Sequence, residues 1–321
     1  MYKSVLSGLG NVAWKMGRDS VSGSSLSHLD AFNQHNKVSL IAGYSPNASE
    51  VQFFSNFFNV IGYDDFSQML YREKPDIVSI CSPHVFHAKQ LEICLDHKVP
   101  MIWVEKPVAN SVNEIVKLEK LSKQMCQSST VLVNFQRGYT ESYQKLRKLL
   151  EKGIYGHPLS VEIHYSRGLL INGSHMIDML VYLFPESQLE LLWVERNYQS
   201  DSPDFIVQIQ NNLIAHISGI EATYHNIDII VTCEQARFSI EHGGMSIKVE
   251  KVKENSMFAG HYRLYYKETD ELGMPGFNHA FDKALENLIL SHEKKCQPDS
   301  NLNTALKGQI LVEEVLRQSA L

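Results

Sequence analysis

The sequence is short of the features that mark several broad classes of protein. Its five cysteines (Cys81, Cys94, Cys126, Cys233 and Cys296) are scattered, odd in number and without a CxxC pair. That excludes a disulfide framework and the usual zinc spacings. No dense run of Lys and Arg occurs, and 30 basic against 36 acidic residues leave a net charge of −6. A nucleic-acid binder needs a basic face to neutralise phosphates, so that class is set aside. No uninterrupted apolar segment approaches the roughly 20 residues of a membrane span. Residues 1–6 have too short an apolar run for a signal peptide and no small-residue cleavage site, so the expected location is the cytoplasm. His84 and His87 are spaced as metal ligands can be, but no carboxylate or third ligand stands near them, and no metal is expected. Internal repeats are missing, as is low-complexity sequence beyond a Ser-rich stretch at 20–27.

What is present is enough for two domains: 321 residues, 44% apolar and 21% charged. In the first half, apolar strands alternate with helices, the pattern of a parallel sheet covered on both faces. The strand at 3–7 runs into Gly8-Leu9-Gly10-Asn11-Val12-Ala13, which fits a GxGxxG/A dinucleotide fingerprint. Gly8, Gly10, Asn11 and Val12 are the candidate pyrophosphate contacts, at the start of a helix expected from about Asn11. The second strand ends at Gly43-Tyr44-Ser45-Pro46-Asn47, with no acid for the ribose hydroxyls. Ser45 leaves room for a 2′-phosphate, yet no Arg or Lys follows immediately to pair it. The cofactor is read as NAD or NADP. Ser82, Pro83 and His87, after the strand at 75–81, border the cofactor on one reading; on the other, His87 packs and hydrogen-bonds locally.

The stretch at 99–107 starts as a buried strand and ends in Glu105-Lys106-Pro107, an ionisable pair where an α/β protein keeps its chemistry. Ser111 and Glu114 then have the spacing of a capping box. From 157 onward the texture alternates, with strands expected at 159–165, 189–198, 205–210, 213–221, 225–233, 237–241 and 246–252. Turns at 210–212 and 241–244 read as hairpins. A helix at 174–184 interrupts this large, mostly antiparallel open sheet, and helices at 276–294 and 303–318 follow it. The expected division is a dinucleotide-binding domain at 1–134 and a substrate-binding, oligomerising domain at 135–321, whose last helix can pack back on the first. On the interrupting helix, His175 and Asp178 are three apart and share a face. A neutral imidazole can accept a hydroxyl proton near neutral pH, and an ammonium can hold the oxygen on which charge develops. A buried lysine can instead be the base.

In order and spacing, these signals resemble the glucose–fructose oxidoreductase / inositol dehydrogenase / rhizopine catabolism (Gfo/Idh/MocA) family. The residues are the glycine turn, Pro83 and His87, Glu105-Lys106-Pro107, Asn134-Phe135-Gln136-Arg137, and Gly173-Ser174-His175-Met176-Ile177-Asp178-Met179-Leu180. The resemblance implies an N-terminal doubly wound Rossmann domain, a C-terminal α/β domain on a large mostly antiparallel sheet, and a homodimer or homotetramer assembled through it. It implies that Lys106 and His175 are catalytic, that Glu105 and Lys106 also meet the cofactor, and that the Lys106–Pro107 bond is cis. Many relatives carry Asp where this chain has Ile171, which makes a polyol substrate less expected. Arg137, Tyr165, Arg167 and Asn172, with Lys106, His175 and Asp178, are the expected substrate contacts, and the wording around them is similar to members associated with nucleotide-sugar pathways. The expected activity is an NAD(P)-dependent oxidoreduction of a secondary alcohol or ketone of a sugar or nucleotide sugar. The rival readings are a non-catalytic dinucleotide sensor and a reductase of a non-sugar carbonyl or dihydrodiol.

Overall fold

The computed structural model describes residues 1–19, 23–125, 129–195, 200–209, 212–267, 272 and 276–319. The chain divides into two compact units, Met1–Tyr139 with Phe277–Leu306 and Thr140–Gly276 with Lys307–Leu321. The chain therefore leaves the first unit a few residues after the expected 134/135 boundary, and it returns there for 277–306. Among the described residues, no helix is long and apolar enough to cross a membrane. Cys81, Cys94, Cys233 and Cys296 are free thiols; Cys126 lies outside the described residues, as do 20–22 of the Ser-rich stretch, 196–198 of the strand expected at 189–198, and most of the turn at 210–212.

The first unit is a six-stranded parallel sheet. Its strands are β1 (Tyr2–Ser7), β2 (Val38–Tyr44), β3 (Ile61–Tyr63), β4 (Ile77–Ile80), β5 (Met101–Val104) and β6 (Thr130–Val133). They lie in the order β3-β2-β1-β4-β5-β6, the doubly wound arrangement. Every residue of β4 and β5 is buried, as a strand covered on both faces requires. The strand order reverses between β1 and β4, so their carboxyl ends open the crevice in which such sheets bind ligands.

Six helices cover this sheet: α1 (His28–Gln34), α2 (Ala48–Phe58), α3 (Phe66–Glu73), α4 (His87–Asp96), α5 (Val112–Met125) and, from far along the chain, α8 (Ala280–Lys294). Two apolar layers result. One holds Leu70, Leu91, Ile115 and Leu118 against Val5, Ile80 and Val104. The other packs Trp14, Phe32 and Phe54 with Trp103, Phe281 and Leu285. Phe281, Ala284, Leu285 and Leu288 recur at helical spacing and are all buried, so α8 supplies a face the first half of the chain lacks. Local signals set the helix ends. Asn47 Oδ1 accepts from the Ser49 amide at 3.0 Å, and Asp65 Oδ1 accepts from the Gln68 amide at 2.7 Å. Half of the capping box before α5 forms, with Glu114 N–H donating to Ser111 Oγ, while Glu114 Oε2 reaches one residue further back and accepts from the Asn110 amide.

The second unit is built on β7 (Pro158–Ser166), β8 (Glu190–Val194), β9 (Phe205–Gln208), β10 (Ile214–Ile220), β11 (Ile227–Cys233), β12 (Ala236–Glu241), β13 (Ser246–Asn255) and β14 (Phe258–Tyr266). The order is β14-β13-β12-β11-β7-β10-β9-β8, antiparallel except where β7 meets β10. Two helices belong wholly to this unit, α6 (Glu141–Glu151) and α7 (Ser174–Leu183). A third, α9 (Leu302–Ser319), contributes its first turn to the core of the first unit. The expected fold class is thus observed: a doubly wound parallel sheet and a large, mostly antiparallel one.

Three local expectations change. Residues 11–14 form turns and Lys15–Asp19 a 3-10 helix, rather than an α-helix from Asn11. Trp14 explains the tightness: it is 5% exposed, and its indole N–H turns back to the Leu9 carbonyl at 2.9 Å. The helix expected from His84 starts at His87, after a 3-10 turn over His84–Phe86. Strand β14 was not expected, because it is almost wholly exposed and shows no buried alternation.

Phe281→Ala removes a ring that is 4% exposed from the first unit's core. It is expected to cost about 3–5 kcal/mol, read as a lowered urea midpoint.

Candidate functional site

Gly8 closes β1 with φ +85°, a conformation that glycine adopts without a Cβ clash. A Cβ there would fall 2.5 Å from the Cα and N of Ser82, so the turn after β1 sits directly on the end of β4. An added Cβ at Gly10 meets no atom within 4 Å, which leaves open space above that backbone. Asn11 is exposed and Val12 half-buried on the same turn. Ser82 Oγ and Ser7 Oγ both donate to Gln90 Oε1 at 2.8 Å, tying β1, β4 and α4 together beneath the crevice. Pro83 is exposed beside them.

His87 is 2% exposed, and its Nδ1 and Nε2 each lie 2.7 Å from a backbone oxygen, of Pro107 and Ser82 respectively. Donation to both needs the imidazolium, which burial opposes; burial pushes the pKa down, and the two carbonyls and Glu105 partly offset it. The local reading of His87 is the one this geometry supports. Its ring ties the loop after β4 to the loop after β5 and has no nitrogen left for a ligand.

At the end of β5, the Lys106–Pro107 peptide is cis. Glu105 has a side chain 13% exposed. Its Oε1 accepts from His28 Nε2 at 2.9 Å and from Asn134 Nδ2 at 2.5 Å. Burial alone would push its carboxyl up, but these hydrogen bonds and the charge of His28 hold it below the usual value. Lys106 is half-buried, and burial pushes its amine below the usual lysine value; Glu105 works against that shift and the Arg137 guanidinium adds to it. Arg137 is 8% exposed, in a 3-10 turn over Gln136–Tyr139, with its guanidinium 5.7 Å from the centre of the Phe277 ring. Asn134 Oδ1 is buried without a hydrogen-bond partner.

The acid missing from the end of β2 arrives from α2. Ser45, itself 3% exposed, donates its hydroxyl to Glu50 Oε2 at 2.9 Å, and Lys15 Nζ lies 3.9 Å from Glu50 Oε1. Glu50, Lys15, Arg18, Ser49, Trp14 and Leu9 line a recess of about 400 Å³. No sequence signal placed Glu50 here, because the fingerprint looks for the acid at the strand end itself.

In the second unit, β7 ends at Ser166, and Arg167 (φ +62°) and Gly168 (φ +88°) turn the chain into a π-helical turn over Leu169–Gly173. Such turns recur at functional sites. Asn172 is 2% exposed within it, while Ile171 is 54% exposed. Helix α7 follows directly, with His175 half-buried in its first turn and Asp178 8% exposed one turn on. Arg167 is exposed. Tyr165 is a correction to the expected substrate contacts. It is fully buried against Phe205, its hydroxyl donates to the Pro203 carbonyl at 2.8 Å, and it serves as packing.

The residues of the first unit fit a dinucleotide: a positive-φ glycine packed on the neighbouring strand end, open space over Gly10, and an orphaned acceptor on Asn134. Comparison with known proteins agrees. Residues 21–135 match the family described as "Oxidoreductase family, NAD-binding Rossmann fold" (GFO_IDH_MocA). The chain is 26% identical over 168 residues to inositol 2-dehydrogenase 2 of Mycolicibacterium vanbaalenii, a match covering 49% of this chain and 48% of that protein. It thus spans about half the length of the curated relative it matches. An oxidoreductase from Agrobacterium radiobacter, solved with NAD+, L-tartaric acid and magnesium, superposes with a TM-score of 0.76 at 14% identity, covering 99% of this chain and 96% of that one. A 3-ketoreductase from Actinomadura kijaniata, solved with NADP, gives 0.73 at 15%, covering 98% and 97%. At these identities the two structures speak to the fold.

Gly8→Ala is expected to weaken dinucleotide binding by roughly tenfold or more, since the added Cβ must push the Ser82 backbone away at a cost of about 1–3 kcal/mol. Titration of NADH and NADPH by fluorescence checks it.

Proposed function

We propose, from the match of residues 21–135 to the NAD-binding Rossmann domain of the Gfo/Idh/MocA oxidoreductase family, that the chain is a member of that family and moves a hydride between nicotinamide and a secondary alcohol or ketone of a sugar or nucleotide-sugar derivative. The observation that carries this reading is Lys106: a half-buried cation at the carboxyl end of β5, beside a carboxylate held by two hydrogen bonds. The nicotinamide, when bound, supplies the hydride acceptor or donor. Relatives named for inositol and for a 3-ketone support an alcohol–ketone pair as substrate.

The chain's own residues then manage the oxygen and its proton. The Lys106 ammonium hydrogen-bonds the substrate oxygen as negative charge gathers there, a role worth about 10²–10³ in rate for a single well-placed donor. His175 takes the hydroxyl proton on oxidation and returns it on reduction, and Asp178, on the same helix face, orients the imidazole. Asn172 and Arg167 contact the substrate from the turn before α7, and Arg137 adds a cation suited to an anionic sugar. Exposed Ile171 offers no carboxylate for a polyol hydroxyl. Gly8, Gly10, Asn11 and Val12 hold the pyrophosphate, with Ser82 and Pro83 at the crevice edge.

For the cofactor, Glu50 favours NAD. Its carboxylate is already fixed on Ser45 where the adenosine ribose edge would lie, and it would accept from a 2′-hydroxyl and repel a 2′-phosphate. Lys15 and Arg18 keep the recess from being purely acidic, so removal of Glu50 leaves it suited to a phosphate.

Lys106→Ala is expected to reduce turnover by at least 10²–10³ while NAD affinity stays within about twofold; undiminished turnover ends the assignment. Its assay is a panel of inositols, glucosides and nucleotide sugars followed at the nicotinamide absorbance, where silence throughout favours the sensor reading. Because burial lowers the Lys106 pKa from 10.5, a reaction that needs its ammonium is lost as pH rises through that lowered value. The alkaline limb of kcat/KM should therefore begin below pH 10.5. Glu50→Ala is expected to shift the NADP/NAD ratio of kcat/KM towards NADP by about tenfold, the scale of one charge pair in a partly buried site.

A further inference from the structure

Glu105 stands at the end of a buried chain of hydrogen bonds that the reaction above leaves unused. Ser79 Oγ lies 2.5 Å from His28 Nδ1, and His28 Nε2 lies 2.9 Å from Glu105 Oε1. Ser79 and His28 are both 0% exposed. The imidazole is wedged against Trp103, 4.0 Å between ring centres, and Phe281, 5.3 Å away. Four segments meet here: α1 brings His28, β4 brings Ser79, and the ends of β5 and β6 bring Glu105 and Asn134.

A ring this deep is costly unless both its nitrogens are partnered. A carboxylate only accepts, so Nε2 carries the hydrogen towards Glu105. Nδ1 then pairs with the Ser79 hydroxyl, which can donate or accept. The order Ser–His–acid is that of a hydrolase, but no substrate reaches a fully buried hydroxyl in the middle of β4. The chain ends instead at the neighbour of Lys106.

We propose that His28 is a positioning residue for Lys106, acting through the hydrogen bond by which it fixes the Glu105 carboxylate. The inference rests on Lys106 carrying the chemistry. Facing this pair are the Cys81 thiol at the end of β4, which burial and Glu105 keep protonated, His87 from α4, and Arg137 after β6. Burial and Arg137 disfavour the lysine's charge, and Glu105 is the anion that sustains it. Without His28, the carboxylate keeps Asn134 but loses one of the two hydrogen bonds that fix it. The carboxylate is then free to turn away from Lys106, whose ammonium loses part of its counterion and gives up its proton at lower pH.

Two amides of matched chemistry separate this role from packing. His28→Asn can keep the Ser79 bond but falls short of Glu105, while His28→Gln can place an amide nitrogen where Nε2 was. The readout is the pH dependence of Lys106 acetylation by acetic anhydride on the full chain, followed by peptide mass spectrometry, which needs no substrate. In His28→Asn the midpoint is expected to fall by about half a unit or more, part of the shift that an opposite charge nearby sustains; in His28→Gln it stays within a few tenths. An unmoved midpoint in a folded His28→Asn, or equal shifts in both variants, overturns the proposal. If the midpoint moves while the alkaline limb of turnover does not, His28 still positions Lys106, and it is the lysine's part in the reaction that fails.

Discussion

The close approach of Gly8 to Ser82 is the constraint on which the first unit's site depends. With no side chain on the last turn of β1, two strand ends meet where the sheet order reverses, and the crevice opens there. The polar groups beneath, Ser7 and Ser82 on Gln90 and His87 on two carbonyls, are spent on holding that meeting point. What faces outward is therefore backbone, open space over Gly10, and the few charged groups the strand ends deliver. A bare turn on a rigid base suits a pyrophosphate, which wants amide donors and room.

Two carboxylates, Glu105 and Glu50, are each held by a partner from a different element. Glu105 at the end of β5 is held from α1 and β6, and Ser45 at the end of β2 is tied to Glu50 on α2. Ligand-facing ions on rigid supports lose little freedom when a ligand arrives. The second unit uses another device. The segment before α7 leaves β7 through two consecutive left-handed residues and a π-helical turn, which bury Asn172 and set His175 in the first turn of α7.

Much of this was legible in the sequence, because it is local. The glycine turn, the apolar strands, the capping box at Ser111 and Glu114, and the ionic end of β5 each announce themselves within a few residues. The misses share a cause as well. Glu50 brings a carboxylate to Ser45 from α2, five residues past the place where a strand-end fingerprint seeks an acid. His28 has an ordinary place on α1, and only the folded sheet brings Ser79 and Glu105 to its two nitrogens. Tyr165 sits among plausible ligand contacts in the sequence, yet its partner, the Pro203 carbonyl, lies 38 residues on. An exposed strand such as β14 has no buried face to give it a period.

Helix α8 carries a consequence for how the chain is made. The layer containing Trp103, Phe32 and Leu132 is closed by Phe281, Leu285 and Leu288, which leave the ribosome after all of the second unit's strands. Throughout that interval the nascent first unit has six strands and one naked aromatic flank. Synthesis order and packing order thus disagree, and the exposed flank is a natural client surface for a chaperone until the late helix seals it.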